Sequence, residues 1–164
     1  MTETNAAQQP PGDFNIRRAR PDETAILTDI ALAAKRHWQY PESYIELWRP
    51  ELTFTADYIE AHDVYVAVAN ERPVGVYALV QEEGFQELDY LWVLPDYIGQ
   101  GVGRQLVRHA LAVARSNPLP RLLVASDPYA VGFYEKMGFR KIGHLSGQPP
   151  GRILPVMELV LGKT

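Results

Sequence analysis

The sequence predicts one α+β domain with a sheet of six to seven strands, and three observations support that prediction. Residues 87–94 alternate with the two-residue period of a strand. From Val102 onward the apolar residues follow helical spacing. Residues 64–69 and 74–81 are typical of two strands joined by a hairpin turn at residues 70–73. A chain of 164 residues is long enough to bury one core around these elements.

Composition and charge exclude several classes of protein. A net charge of −4 argues against a general nucleic-acid binder, because affinity for a phosphate backbone comes from clustered Lys and Arg. The absence of cysteine excludes disulfides, thiolate metal sites and a cysteine nucleophile. The four histidines show no metal-ligand spacing, so we expect no metal site.

The first residues are unlike the remainder of the chain. Residues 1–13 have neither the basic flank nor the apolar run of a signal peptide, and we predict a disordered leader there, with the domain over residues 14–164. No segment approaches the roughly 18 consecutive apolar residues that a membrane span needs. We therefore expect a cytoplasmic protein that does not enter the membrane.

The elements before the hairpin follow in order. Residues 14–19 read as a first strand, and Pro21 opens a helix that fades near His37. Residues 37–54 are rich in aromatic side chains and interrupted by prolines, which fits either a packed hydrophobic lid or a substrate-binding wall. Thr55 is placed to cap the short helix that comes next.

After the hairpin, strands and helices alternate. The helix that begins at Val102 is stopped by the prolines of residues 117–120. A second helix opens at Asp127-Pro128 and has Gly138 at its C-terminal cap. The Pro- and Gly-rich residues 146–152 form a loop. Further strands are predicted at residues 87–94, 121–125, 139–144 and 153–161.

Three glycines stand at alternate positions between the central strand and the helix that follows it: Gly99, Gly101 and Gly103. Their missing side chains allow close approach of a ligand, and the free N–H groups of the new helix favour negative charge. Arg104 and Arg108 lie on one helical face and add positive potential. No Gly-Lys-Ser/Thr follows, so this is not a P-loop, and the spacing misses the third glycine of a dinucleotide site. An anion site remains.

Residues 98–103, Ile-Gly-Gln-Gly-Val-Gly, are followed by Arg104 and resemble the acyl-CoA-binding motif Gln/Arg-x-x-Gly-x-Gly/Ala of the GNAT superfamily of N-acyltransferases. Ile98 replaces the usual polar first residue. Residues 127–139 are similar to the second family segment, Asn-x-x-Ala-x-x-x-Tyr-x-x-x-Gly-Phe, with Asp127 in place of Asn. The two motifs occur in the expected order, and the resemblance covers about residues 63–161.

The resemblance implies a central, mostly antiparallel mixed sheet with helices on both faces, acetyl-CoA as cofactor, and dimers as a common assembly. The central strand of the family splays from its neighbour and pairs with the pantetheine arm. The cofactor residues implied are Leu91, Trp92, Val93, Ile98, Gly99, Gln100, Gly101, Val102, Gly103, Arg104, Asp127, Tyr129, Phe133 and Tyr134. The family also commonly builds its acceptor pocket from the region that here holds Trp38, Tyr40 and Trp48.

Acetyl transfer to an amine needs a base, because an alkylammonium of pKa about 10.4 costs roughly 4–5 kcal/mol to deprotonate at pH 7. Strict alternation puts Glu87 and Asp89 on one face with Leu91 and Val93. Mutual repulsion and burial would raise the pKa of at least one carboxyl, so we predict Glu87 as the base and Asp89 as second choice. The alternative is that both are ordinary charged residues on a solvated face, without a catalytic role. The resemblance makes Tyr134 the acid that protonates the departing thiolate.

Three functions stay open at this point. The first is a GNAT-type N-acetyltransferase, the second a non-catalytic acyl-CoA-binding regulatory module, and the third a nucleotide-phosphate binder. The acceptor is not readable from the sequence, and it can be a small molecule or a peptide. The candidates are aminoglycosides, polyamines, amino acids, protein N-termini and lysines.

Overall fold

A computed structural model describes residues 14–162. The leader predicted at residues 1–13 lies outside the described residues. Seven strands form one sheet in the order β1-β2-β3-β4-β5-β7-β6. The strands are β1 (Asn15–Arg18), β2 (Asp63–Ala69), β3 (Arg72–Gln81), β4 (Gln86–Val93), β5 (Arg121–Ala125), β6 (Arg140–Ser146) and β7 (Ile153–Val160).

Five α-helices accompany the sheet in the described part of the chain. They are α1 (Thr24–His37), α2 (Glu42–Leu52), α3 (Ala56–Ala61), α4 (Val102–Arg115) and α5 (Val131–Lys136). The predicted cap of α3 is present, because the Thr55 side chain accepts a hydrogen bond from the backbone N–H of Tyr58. None of these helices has the length and hydropathy of a membrane span.

Neighbouring strands are antiparallel except β4 and β5, which run parallel. The prediction of a mixed, mostly antiparallel sheet of six to seven strands is therefore confirmed. The turn between β2 and β3 places Asn70 and Glu71 at φ of 50° and 65°, the left-handed region that hairpin turns require.

The sheet carries a hydrophobic core on each face. The α4 core joins α4 and α5 to one face and includes Tyr77, Leu88 and Leu106. The α1 core joins α1, α2 and α3 to the other face and includes Leu27 and Trp48. Helices on both faces leave the central strand β4 in contact with both cores, so its side chains determine what each side of the sheet can do.

Helix α2 is a correction to the sequence analysis, which assigned residues 37–54 no helix. Pro41 occupies the N-cap and Pro50 lies in the last turn. A proline usually ends a helix in a sequence pattern. At the N-terminal end it costs little, because its missing N–H has no intrahelical partner there, and Pro50 comes so late that α2 ends two residues after it. The structure also makes Trp48, on the inner face of α2, part of the α1 core.

A β-bulge in β4 is a second correction. Leu79 of β3 pairs with Leu88 and Ala78 pairs with Tyr90, so Asp89 has no partner opposite it. Leu88 packs in the α4 core, whereas Tyr90 and Trp92 pack against the α1 core. Strict alternation would also put Leu88, Tyr90 and Trp92 on one common face, and that expectation is wrong. Because both neighbours of Leu88 point away from the α4 core, Glu87 and Asp89 share a side, but Leu91 and Val93 lie on the opposite side.

Candidate functional site

A cleft opens where β4 and β5 separate. The two strands pair only at Gln86–Leu122 and Glu87–Leu123. Beyond these pairs they diverge around a cavity of about 410 Å³. The unpaired edge of β4 and the glycine-rich turn both border that cavity.

Thirteen of the fourteen predicted cofactor residues line the cavity: Leu91, Trp92, Val93, Ile98, Gly99, Gly101, Val102, Gly103, Arg104, Asp127, Tyr129, Phe133 and Tyr134. Gln100 does not line the cavity, and its side-chain Nε2 donates to the backbone oxygen of Asp96 at 3.0 Å. The Nε1 of Trp92 is buried and has no hydrogen-bond partner within residues 14–162. The residues that the family resemblance implies as cofactor contacts thus lie, except Gln100, around one cavity.

The glycine-rich turn presents bare backbone to the cavity. Gly99 and Gly101 have φ of 83° and 87°, a conformation that favours glycine over residues with a side chain. A Cβ at Gly99 would meet no atom within 4 Å, so the space beside that backbone is open. A Cβ at Gly103 would lie 3.4 Å from the Phe133 ring, which shows close packing instead.

Helix α4 begins at this turn without a side-chain cap, because Gly101 is its N-cap residue. The first backbone bond of the helix runs from the Gln105 N–H to the Gly101 oxygen at 3.0 Å. The N–H groups before Gln105 therefore have no intrahelical acceptor and point out of the helix end. This cradle of N–H groups fits the diphosphate of coenzyme A, with Arg104 beside it.

The two predicted bases lie at the bulge and differ in exposure. Asp89 is exposed, lines the cavity and accepts a hydrogen bond from the Tyr58 hydroxyl. Glu87 is half-buried and does not line the cavity. Burial, and then the negative charges of Asp89 and Glu82, raise the pKa of Glu87 above its ordinary value.

Tyr134 lies on the opposite side of the cleft. Its ring is 5% exposed and makes edge contacts with Phe133 and Phe139, at centroid distances of 5.2 and 5.4 Å. Burial, together with the charge of Asp127, raises the pKa of the Tyr134 phenol. This side chain therefore stays protonated at neutral pH, as a proton donor must.

Asp127 is a buried carboxylate with four donors. It accepts from Lys35 Nζ at 2.7 Å, the Tyr40 hydroxyl at 3.0 Å, the Tyr129 backbone N–H at 3.0 Å and Arg152 at 3.3 Å. Burial alone would raise the pKa of Asp127, but the charge and hydrogen bond of Lys35 outweigh it and hold the pKa below its usual range. The oxygens are thus already engaged by the protein.

The three predicted acceptor-wall aromatics occupy two positions. Trp38 lines the cavity and stacks on Tyr129, with centroids 5.2 Å apart and planes at 13°. Trp48 is 5% exposed and donates its Nε1 to the Gln148 backbone oxygen at 2.7 Å. Tyr40 packs edge-on against Trp48 at 4.9 Å. Trp38 therefore faces the cavity, while Tyr40 and Trp48 form a packed layer behind Asp127.

Three residues of the site escaped the sequence analysis: Lys35, Arg152 and Tyr58. Lys35 and Arg152 both contact Asp127 and lie over the Trp48 ring at 4.6 and 4.5 Å. One signal was available for Lys35, since it lies eight residues after Leu27 on the apolar stripe of α1. Arg152 and Tyr58 had no such signal, because long-range folding alone brings them to the site.

Comparison with known proteins finds similar sequences. The sequence profile described as "Acetyltransferase (GNAT) domain" matches residues 60–141. The peptidyl-lysine N-acetyltransferase YjaB of Salmonella typhimurium strain LT2 is 33% identical over 149 residues, which cover 90% of this chain and 97% of that protein. YjaB of Escherichia coli K12 is 32% identical over 143 residues, which cover 79% of this chain and 95% of that protein.

Solved structures share the architecture at lower sequence identity. The PaiA N-acetyltransferase of Thermoplasma acidophilum, crystallised with coenzyme A, superposes with a TM-score of 0.75. It is 19% identical, and the match covers 90% of this chain and 99% of that one. The order of strands and helices described above is therefore a known arrangement.

Proposed function

The chain belongs to the GNAT family of acetyltransferases, and from that membership we propose that its acceptor is the side-chain amine of a lysine in a peptide or protein. It is an acyl-CoA-dependent N-acetyltransferase whose co-substrate is acetyl-CoA. Two relatives named for peptidyl-lysine acetylation, each at least 32% identical, support the choice of acceptor.

One observation of the site carries this proposal. Glu87 and Asp89 lie together at the bulge, and neither forms a salt bridge with any residue from 14 to 162. Asp89 is exposed at the cavity wall. Two uncompensated carboxylates attract a cation, and the ammonium group of lysine supplies one at the end of a long, slender side chain.

In this proposal Glu87 takes the proton of the ammonium and Asp89 holds the cation in place. The raised pKa of Glu87 makes its carboxylate a stronger base than an ordinary glutamate. Deprotonation of a lysine costs roughly 4–5 kcal/mol at pH 7, so a base and a nearby negative charge both assist it.

Acetyl-CoA, when bound, would supply the acetyl thioester: the amine nitrogen bonds to the acyl carbon, the bond from carbon to sulfur breaks, and the second proton of the nitrogen passes to solvent. Tyr134 donates its phenolic proton to the departing thiolate and is reprotonated from solvent. A thiolate of pKa about 8.5 is a fair leaving group, so this donation assists modestly. The N–H groups at the start of α4 hold the diphosphate, and the backbone of Leu91 and Val93 pairs with the pantetheine arm.

The test is an acetylation assay on peptides. Purified protein, acetyl-CoA and a set of lysine-containing peptides with blocked N-termini should release free thiol and add one acetyl group to lysine, read by mass spectrometry. The same peptides with arginine at the lysine position should remain unmodified. Acetylation only of free α-amines or of small polyamines would overturn the choice of acceptor, and saturable acetyl-CoA binding without any product would favour the non-catalytic module.

A further inference from the structure

Asp89 has one hydrogen-bond donor among the described side chains, the hydroxyl of Tyr58. Because Asp89 is the extra residue of the bulge, no pairing with β3 fixes it, and a bulge commonly re-aims a side chain next to an active site. Tyr58 itself is well fixed. Its backbone N–H donates to the cap residue Thr55, and its ring lies 5.5 Å from that of Tyr90 and 4.7 Å from that of His62.

Tyr90 provides a natural comparison for Tyr58. The two phenols are neighbours and lie on the same side of the sheet. The Tyr90 hydroxyl donates to the backbone oxygen of Glu51, at the end of α2, whereas that of Tyr58 donates to a carboxylate. Both bonds tie a helix to β4, but a bond to a charged group is stronger than one to a neutral oxygen.

We propose that Tyr58 is a positioning residue whose hydroxyl holds the Asp89 side chain at the cavity wall, so that the proton of the acceptor passes to Glu87. This inference rests on the proposed function for the identity of the acceptor. The hydrogen bond and its effect on Asp89 exist whether or not an acceptor is present.

The surroundings of Asp89 leave this role to Tyr58. From β4 the charge of Glu87 faces it, with that of Glu82 beyond, and Tyr90 is adjacent. Glu51 approaches from the end of α2 through the Tyr90 bond. From α3 come Tyr58 and, behind it, His62 at the helix end. Among these neighbours the Tyr58 hydroxyl is the group that donates a hydrogen bond to the Asp89 carboxylate.

Removing the hydroxyl should therefore move the proton between the two carboxyls. A donor to a carboxylate stabilises its ionised form, so Tyr58→Phe should raise the pKa of Asp89 by about one pH unit. The pair then retains a proton to higher pH, and Asp89 competes with Glu87 for it. Glu87 would work beside a neutral partner for part of the time.

The first measurement needs no acceptor. Carboxyl ¹³C NMR titration of the free protein, with the Asp89 signal assigned from Asp89→Asn, should show its midpoint rising by about one pH unit in Tyr58→Phe. Tyr90→Phe is the matched control and should leave that midpoint unchanged within about 0.2 pH units. An unshifted Asp89 in Tyr58→Phe, or an equal shift in both variants, would overturn the proposal.

The second measurement uses the amine that the acetylation assay identifies. Tyr58→Phe should lower kcat/KM for the amine about three- to tenfold, move the acid limb of its pH profile to higher pH, and leave KM for acetyl-CoA unchanged. In the Asp89→Asn background the same change should have less than a twofold effect. Full additivity of the two substitutions would contradict a role exerted through Asp89.

A third variant keeps the shape of the side chain if Tyr58→Phe folds poorly. 3-Fluorotyrosine at position 58 is a stronger hydrogen-bond donor of nearly the same size. It should lower the Asp89 midpoint and shift the acid limb to lower pH, the opposite of the Tyr58→Phe effect. A shift in the same direction as Tyr58→Phe would show that only packing is at work. If no amine is acetylated by the unmodified protein, the proposed function fails while the NMR result still decides the role of Tyr58.

Discussion

Two carboxylate sites have opposite surroundings: Asp127 lines the cavity, and Glu87 lies beside Asp89, which lines it too. Asp127 accepts from Lys35, Arg152, Tyr40 and a backbone N–H, and its pKa is held below the usual range. Glu87 has no salt bridge in residues 14–162 and faces the charge of Asp89, and its pKa is raised. The same chemical group is thus locked in its ionised form on one side of the cleft and made basic on the other.

The contrast gives Asp127 a structural role and Glu87 a role in proton transfer. A carboxylate with four donors has no lone pair left for a proton, so Asp127 joins α1, the β5–α5 turn and the β6–β7 loop instead of reacting. A carboxylate with a raised pKa and an acidic neighbour gains by taking a proton. Each prediction below changes one side of this comparison.

The largest effect is expected on stability at Asp127. Asp127→Ala leaves the side chains of Lys35 and Arg152, 9% and 12% exposed, without their shared counter-charge. Removing one partner of a buried pair typically costs about 3–5 kcal/mol in the free energy of unfolding. Urea unfolding at pH 7, followed by circular dichroism, measures this loss.

Two controls show whether burial is the reason. Glu42→Ala removes the exposed partner of Arg36 and should cost under about 1 kcal/mol. The double variant Lys35→Met/Asp127→Asn replaces the buried charge pair by neutral groups and should recover part of the loss. Because the pKa of Asp127 is lowered in the fold, its stabilisation is present above about pH 4 and is lost as the pH falls through the folded-state pKa. A loss at Asp127→Ala no larger than at Glu42→Ala would contradict this account.

On the reactive side, Glu87→Gln should lower kcat about 100-fold, as expected for loss of a general base. Asp89→Asn keeps the base but weakens attraction for the cation, so we expect a smaller effect, roughly tenfold and mainly on KM for the amine. Initial rates of thiol release between pH 6 and 9 distinguish them. The acid limb of the pH profile should disappear in Glu87→Gln and persist in Asp89→Asn. The reverse pattern would make Asp89 the base.

The predictability of these two sites from the sequence differs for a physical reason. The glycine-rich turn and the residues around Tyr134 are local motifs, so the sequence shows both the strand–helix order and the family resemblance that implies the cofactor residues. The bulge at Asp89 and the donors of Asp127 depend on pairing between distant segments. Lys35 is 92 residues from Asp127, and an extra residue in β4 has no mark in a two-residue period. The sequence predicted that Glu87 and Asp89 share one side of β4, but it did not predict that Leu91 and Val93 lie on the opposite side.

Across the cleft, Tyr134→Phe should slow thiol release about threefold to tenfold without changing acetyl-CoA binding. The effect is modest because a thiolate leaves readily without assistance. The ring remains in its contacts with Phe133 and Phe139, so the fold should be preserved. Steady-state rates test the slower thiol release, and calorimetric titration with coenzyme A tests the unchanged binding. Loss of coenzyme A binding would make Tyr134 a binding residue instead of the acid.

The smallest expected effect is on the stability of Glu87→Gln, which we expect to gain free energy of unfolding where Asp127→Ala loses it. Burial and the charge of Asp89 raise the pKa of Glu87, so the folded state binds this proton more tightly than the unfolded chain does. Ionised Glu87 therefore destabilises the fold above its folded-state pKa, and the penalty vanishes below its ordinary unfolded pKa of about 4.3. Glu87→Gln should be more stable than the unmodified protein at pH 7, by less than about 1 kcal/mol, and equal to it near pH 4. Urea unfolding of both proteins at the two pH values measures the difference. A variant less stable than the unmodified protein at pH 7 would mean that Glu87 serves the fold as Asp127 does, and the contrast between the two sides of the cleft would be lost.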